Sequence, residues 1–252
     1  MKVYFVGAGP GDPELLTLRA DRLLRGCCCC VYAGSLVSPG VLQLIPAEAE
    51  THDSAALSLD EIVAIFRKAQ QQGIDVVRLH SGDPSIYGAI QEQMRALDQM
   101  AIEYEVVPGV SSFQAAAAAL KTELTAPEVA QTIILTRTSG RTPLPKEQEL
   151  EQLAKTRATL CIFLSAGQIE TVAATLARSY GSDCPAAVVY RASWPDQKII
   201  RGTLGEIAAK VLSQGIKKTA MIIVGRALSR DIPVSKLYDR TFTHGYRQGM
   251  VE

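Results

Sequence analysis

In the first 112 residues, four short apolar or β-branched runs each end directly in a glycine-bearing turn, and this recurrence constrains the fold most. The turns are Gly7-Ala8-Gly9-Pro10-Gly11-Asp12, Ala33-Gly34-Ser35, Ser81-Gly82-Asp83-Pro84 and Pro108-Gly109-Val110-Ser111-Ser112. The runs before them, Val3–Val6, Cys28–Tyr32, Asp75–His80 and Tyr104–Val107, have the length and composition of buried strands. Helical patterns follow. Asp12-Pro13-Glu14 reads as a helix start, with Leu16, Ala20, Leu23 and Leu24 on one face. Ser58 and Glu61 form a capping-box pattern before Ile62, Ile65, Phe66 and Ala69, and Gly73 is placed to stop that helix. Ser111 and Gln114 open an alanine-rich helix. Strands alternating with helices predict an α/β domain whose sheet is mostly parallel. Parallel strands would put all the turns on one carboxyl rim, where such sheets bind ligands.

The pattern breaks in a polar stretch at Thr122–Gln131, which contains Pro127, so two tandem α/β domains are expected, 1–122 and 123–252. Beyond the break, Thr132–Thr136, Thr159–Leu164, Ala187–Tyr190, Lys198–Arg201 and Ala220–Val224 read as strands. Helices are expected over Lys146–Lys155, Ile169–Tyr180 (stopped by Gly181) and Leu204–Leu212. Trp194-Pro195-Asp196-Gln197 reads as a turn between adjacent strands, which makes the second sheet mixed. The tail after Arg226 shows no periodicity.

Bulk properties narrow the partners. Lys+Arg and Asp+Glu balance at 26 each among 252 residues, so no basic field advertises nucleic acid or an acidic membrane. No apolar run is long enough for a membrane span, the apolar run at the N-terminus is too short for a signal peptide, and a cytoplasmic location is the default. Four of the six cysteines are contiguous, Cys27 to Cys30. Adjacent side chains of a strand face opposite ways, so these thiols read as small buried hydrophobes rather than a metal site. His52, His80 and His244 have no ligand spacing, so no metal is expected, and no nucleophile elbow is present.

The turns carry the chemistry. Glycine lets a ligand approach the backbone, although any strand-to-helix turn also uses glycine; four such turns on one rim favour a ligand site. The first turn departs from the dinucleotide fingerprint, because Asp12 stands where G-x-G-x-x-G requires glycine and would repel a pyrophosphate. A cationic or zwitterionic adenosine derivative such as S-adenosylmethionine suits carbonyl oxygens and a carboxylate better. Asp83 is the candidate carboxylate; it also suits an N-cap for a helix beginning at Pro84, and the two roles are compatible. In the second half, Arg137 and Arg141 flank a glycine-containing loop and could bind carboxylates, although a pair of surface arginines is more often solvated.

These turns resemble those of the S-adenosylmethionine-dependent methyltransferases that modify uroporphyrinogen and precorrins, a class that includes diphthine synthase. The likeness rests on Gly7–Asp12, Tyr32-Ala33-Gly34-Ser35-Leu36-Val37, Leu79–Ile90 (with Gly82-Asp83-Pro84 and Tyr87-Gly88), and Pro108–Ala119. It continues through Leu135-Thr136-Arg137, Gly140-Arg141-Thr142-Pro143 and Gly202-Thr203-Leu204. The resemblance implies two α/β domains with the cofactor in the cleft between them, a homodimer, and a tetrapyrrole substrate. By motif it implies cofactor contacts from Pro10, Gly82, Asp83, Ile86, Ser111, Ser112, Leu164, Ala192 and Ala220. The cysteine run departs from the aliphatic strand usual in the class. Methyl transfer from a sulfonium needs no enzymic nucleophile, so no catalytic residue is assigned. A polycarboxylate substrate would give Arg137 and Arg141 a task. The alternatives are other tetrapyrrole positions, such as C-20 or those of uroporphyrinogen, a non-catalytic tetrapyrrole carrier, and a nicotinamide-dependent oxidoreductase, which Asp12 disfavours.

Overall fold

The computed structural model describes residues 1–140, 142–229, 231–233 and 235–250; Arg141 lies outside the described residues. The chain divides into two compact units. Unit 1 holds Met1–Ala116 together with Arg191–Gln197, and unit 2 holds Ala117–Tyr190 and the chain from Lys198 on.

Unit 1 is built on a five-stranded sheet: β1 (Lys2–Gly7), β2 (Cys29–Tyr32), β3 (Glu50–Asp53), β4 (Val76–His80) and β5 (Glu103–Val107). The order is β3-β2-β4-β1-β5 and every pairing is parallel, fully rather than mostly. Its helices are α1 (Leu18–Arg25), α2 (Pro39–Leu42), α3 (Leu59–Gln72), α4 (Gln91–Gln99) and α5 (Ser112–Leu120), whose last residues fall in unit 2. Strand alternation divides the core in two. Phe5, Val31 and Val76 pack with Ile62, Phe66 and Leu97 on one face, while Val6, Val77 and Leu79 pack with Ala20, Leu24 and Val41 on the other. Each fully buried side chain of this size contributes about 1.5–3 kcal/mol. The cysteine run is split in the same way: Cys29 belongs to the first cluster, Cys27 and Cys30 to the second, and Cys28 is exposed. Burial pushes the Cys29 thiol up to about 11, and the bond to the Cys27 thiol followed by burial pushes Cys30 up as well, so both are protonated packing groups.

The capping box of α3 forms as expected, and Gly73 ends that helix at φ 69°. The helix expected from Pro13 does not. Asp12 caps only a 3-10 turn, Pro13–Leu15; the chain extends at Leu16, and Thr17 caps α1 by accepting from the Ala20 N–H. Two N-caps compete within one short segment, and the second starts a helix that buries Ala20 and Leu24. Strand β3 left no apolar trace in the sequence because Glu-Thr-His-Asp is an edge strand.

Unit 2 holds β6 (Ile133–Arg137), α6 (Leu150–Leu153), β7 (Thr159–Phe163), α7 (Ile169–Tyr180), β8 (Pro185–Tyr190), β9 (Lys198–Thr203), α8 (Ile207–Ser213) and β10 (Ala220–Val224). Its sheet order is β6-β7-β10-β8-β9; only β6–β7 is parallel, so the sheet is mixed as expected. Ile169, Val172 and Leu176 of α7, with Ile207 and Val211 of α8, pack on Leu160, Ile162, Val188 and Ile222. The helix expected over Lys146–Lys155 is broken. Glu149 is extended (φ −64°, ψ 148°) and accepts a 2.6 Å bond from Ser139 Oγ, leaving α6 between two 3-10 turns. The last helix starts at Ile207 rather than Leu204. Trp194–Gln197 does lie between two adjacent strands, β8 and β9. No helix among the described residues is long and apolar enough to cross a membrane.

Candidate functional site

Because the unit 1 strands are parallel, the turns after β1, β2, β4 and β5 share one edge. Three of them are in backbone contact. The Ala8 N–H donates to His80 O at 2.7 Å, and Gly9 and Gly82 exchange N–H···O bonds of 3.3 and 2.8 Å. A Cβ on Gly7 would lie 2.6 Å from Gly82 O and Gly109 Cα, and one on Gly109 would overlap Gly82 O. Glycine is therefore required here because the turns press on one another, not only to admit a ligand. The turn after β2 is tied in through Ser38 Oγ, which donates to Gly11 O, and through Asp53 Oδ1, which accepts from the Gly34 N–H at 3.0 Å.

Asp83 joins two of these turns. One oxygen accepts from the Ser85 N–H at 2.8 Å and from the Ser85 hydroxyl; the other accepts from the Gly109 N–H at 2.9 Å. Partial burial opposes its charge, but the Ser85 and Gly109 bonds outweigh that and hold the carboxyl below the usual range. The helix expected at Pro84 is absent. Asp83 caps a turn, α4 begins only at Gln91, and Tyr87 and Ala89 in between are left-handed at φ 54° and 50°. Of the other expected contacts, Pro10, Gly82 and Ser111 are buried, and Ile86 and Ser112 half-buried. Ser111 and Gln114 meet at the start of α5 as expected, the Ser111 N–H donating to Gln114 Oε1 at 2.9 Å.

Beneath the rim lie two buried basic side chains, one charged and one neutral. Arg78 donates to Gln93 Oε1 (3.0 Å) and Val31 O (3.2 Å) and has no carboxylate partner among the described residues. Burial pulls it down to about 10, so it stays charged. His80 is 5% exposed, and its Nε2 has no hydrogen-bond partner among the described residues. Burial, then the charge of Arg78, pushes its imidazole down to about 3, so it is neutral at physiological pH.

In unit 2, one sheet edge collects three of the expected residues. Arg137 ends β6, and Leu164 follows the end of β7. Antiparallel pairing of Ile222 with Ile162 brings Ala220, the first residue of β10, to that same edge. Leu164 is 71% exposed and left-handed at φ 55°, an uncommon backbone for a bulky residue. The adjacent Ser165 accepts from the Thr138 N–H at 2.9 Å and donates to Phe163 O at 2.6 Å, fixing the turn. Arg137 folds onto its own loop, Nη1 donating to Thr138 O (3.1 Å) and Thr142 O (3.0 Å). Arg141, its expected companion, is outside the described residues. Ala192 lies just beyond β8, buried between left-handed Arg191 (φ 45°) and Ser193 (φ 70°).

Sequence reasoning missed Trp194, Ser193 and Ser38, all of which hold the first turn: the Trp194 Nε1–H donates to Pro10 O at 2.8 Å, and Ser193 Oγ accepts from the Asp12 N–H at 3.0 Å. The signal available was that Trp194 is the one tryptophan of the chain, placed in a turn. Among the described residues, no three His, Cys, Asp or Glu side chains gather as a metal site.

Comparison with known proteins places this architecture. The family described as tetrapyrrole (corrin/porphyrin) methylases matches residues 2–208. A cobalt-precorrin-4 C(11)-methyltransferase of Methanocaldococcus jannaschii is 51% identical over 98% of this chain and 96% of its own. A precorrin-4 C(11)-methyltransferase of Pseudomonas aeruginosa is 48% identical over 99% of this chain and 100% of its own. Among solved structures, a cobalt-precorrin-4 methyltransferase from cobalamin biosynthesis superposes with TM-score 0.88 at 43% identity, over 90% of this chain and 96% of that one. A uroporphyrin-III C-methyltransferase of Thermus thermophilus, complexed with S-adenosylhomocysteine, gives TM-score 0.75 at 31% identity, over 90% of this chain and 93% of that one. The chain belongs to the tetrapyrrole (corrin/porphyrin) methylases.

Proposed function

We propose that this protein transfers the methyl group of S-adenosylmethionine to ring carbon C-11 of precorrin-4 or cobalt-precorrin-4, leaving S-adenosylhomocysteine. The observation that carries the reading is full-length identity near one half to relatives so named in an archaeon and a bacterium. The same reading takes the enzyme as a cytoplasmic homodimer. Its cofactor contacts are Pro10, Gly82, Asp83, Ile86, Ser111, Ser112, Leu164, Ala192 and Ala220, and its substrate-binding residues for the acidic arms of the tetrapyrrole are Arg137 and Arg141.

The residues suit that cofactor. The unit 1 rim offers backbone amides and carbonyls with one carboxylate, Asp83, held in its charged form, and it lacks the glycine that a pyrophosphate-binding turn would have at position 12. When bound, S-adenosylmethionine supplies a methyl group already activated by its sulfonium. The protein's part is to orient, to exclude water, and to present carbonyl oxygens that favour positive charge. The welded turns preorganise those carbonyls: Gly9 and Gly82 are bonded to each other, and Gly7 and Gly109 stand too close to Gly82 O to admit a Cβ. Neutral His80 adds no competing cation at the rim.

The reading is tested with methyl-labelled S-adenosylmethionine and precorrin-4, with and without cobalt, followed by locating the label on the ring. One methyl at C-11 is expected. Label at C-20, or tetrapyrrole binding without transfer, would overturn it. Arg137→Ala is expected to raise the KM for tetrapyrrole about tenfold, in line with loss of a charge-assisted bond. An unchanged KM removes Arg137 from the substrate site.

A further inference from the structure

The short segment Arg191–Gln197 touches three successive residues of the first glycine turn. Trp194 donates its Nε1–H to the Pro10 carbonyl at 2.8 Å. Its indole lies so close to Gly11 that a Cβ there would overlap Cδ1 and Nε1. Ser193 Oγ accepts from the Asp12 N–H at 3.0 Å. The segment is itself braced: the Arg191 guanidinium carbon sits 4.8 Å from the Trp194 ring centroid and pairs with Asp196 at 2.7 Å, while the Ser193 N–H donates to Gln197 Oε1 at 2.8 Å. Left-handed backbone at Arg191 and Ser193 holds buried Ala192 between two residues engaged in these ties. So many constraints at one turn exceed what closing a hairpin requires. A two-residue turn closes β-hairpins routinely, whereas this connection is longer and spends its polar groups on the first turn.

We infer that Trp194 is a positioning residue for the cofactor site: by clamping Pro10 it fixes where Pro10 stands relative to Ala192, two positions down its own segment. The inference rests on the reading that Pro10 and Ala192 contact S-adenosylmethionine. Since Trp194 is the chain's one tryptophan, its emission reports directly on this clamp.

The experiment titrates the full-length protein with S-adenosylhomocysteine, following tryptophan emission and heat of binding in parallel. A saturable emission change with the calorimetric midpoint is expected. Trp194→Phe keeps a ring against Arg191 but leaves the Pro10 carbonyl without its donor, and it should weaken binding about tenfold, the equivalent of one buried hydrogen bond. The KM for S-adenosylmethionine should rise by the same factor while the KM for tetrapyrrole stays put; the lost bond lowers the thermal midpoint by a few degrees in either case. A purely structural residue would lower the midpoint alone and spare that split. Should Trp194→Phe fail to fold, Ser193→Ala carries the test, with binding expected to weaken severalfold. Heat of binding with silent emission, and unchanged affinity in the folded variants, overturns the inference and leaves the cofactor reading standing. Absence of any binding to the parent protein overturns that reading, and the inference with it.

Discussion

The two sheets each assemble a loop-bearing edge, by different means. In unit 1 every strand runs the same way, so the carboxyl ends of β1, β4 and β5 crowd onto one rim and their turns meet backbone to backbone. In unit 2 the strands mostly alternate in direction, and one edge gathers strand ends (Arg137, Leu164) and a strand start (Ala220) side by side. Loops there meet through side chains, as Ser165 does with the Thr138 N–H, and among the described residues a Cβ on Gly140 would meet nothing within 4 Å. Crowding yields a preorganised rim that tolerates little change. Spacing yields positions that are individually adjustable.

The sharpest way to break this contrast is to add one methyl group to each edge. Gly109→Ala would drive a Cβ into the Gly82 carbonyl, a backbone atom that cannot swing away. We expect a loss of about 3 kcal/mol or more in urea unfolding, the upper range for overpacking, together with loss of S-adenosylhomocysteine binding. Gly140→Ala should be neutral, or more stable by about 0.5 kcal/mol through the unfolded chain. Similar losses from both substitutions would mean that the rim of unit 1 is no more tightly built than the edge of unit 2.

Acid should find the crowded unit first. His80 has its folded pKa pushed down to about 3 from an ordinary value near 6.5, so the folded state refuses a proton that the unfolded chain accepts. Its contribution is present in full above about pH 6.5 and is lost as pH falls toward 3, at about 1.4 kcal/mol per pH unit. Asp83, whose folded carboxyl is below the usual range, loses stability in the same direction but only where carboxylates titrate. Unfolding of the parent and of His80→Gln, followed between pH 7 and pH 4.5, separates them; the slope should shrink by nearly one proton in the variant. Parallel curves would show that His80 is not the group that titrates.

The contrast also governs what could be read from the chain. Parallel buried strands ending in glycine leave a dense local signature, and the unit 1 rim was legible from Gly7, Gly82 and Gly109 alone. Their physical cause was only half seen, since neighbouring backbone already occupies the space a Cβ would take. The Ser58–Glu61 capping box, the Gly73 stop and the span of α7 were equally local and came out as expected. Long-range ties were illegible: nothing near Trp194 in sequence announces a hydrogen bond to Pro10. Competing local signals also misled, as at Asp12 and Thr17, where only packing of Ala20 and Leu24 decides which cap starts the helix. In unit 2, Arg137 was singled out by its glycine-containing loop and Leu164 by resemblance, and their shared edge emerges only from strand pairing.

Leu164 offers the finest test, because at a spaced edge a residue can be costly locally and still be kept. A leucine at φ 55° bears roughly 1 kcal/mol or more of left-handed strain, and at 71% exposure it recovers little through burial. Leu164→Gly relieves that strain but loosens the unfolded chain, two effects of opposite sign and similar size. Net stability should therefore move by no more than about 0.5 kcal/mol, while affinity for S-adenosylhomocysteine falls about threefold to tenfold as an apolar contact of roughly 1 kcal/mol is removed. Gly109→Ala couples folding and binding because its surroundings are welded; Leu164→Gly should uncouple them. A variant that loses stability and binding together would show that the left-handed turn supports the sheet edge, and one that loses neither would take Leu164 out of the cofactor site.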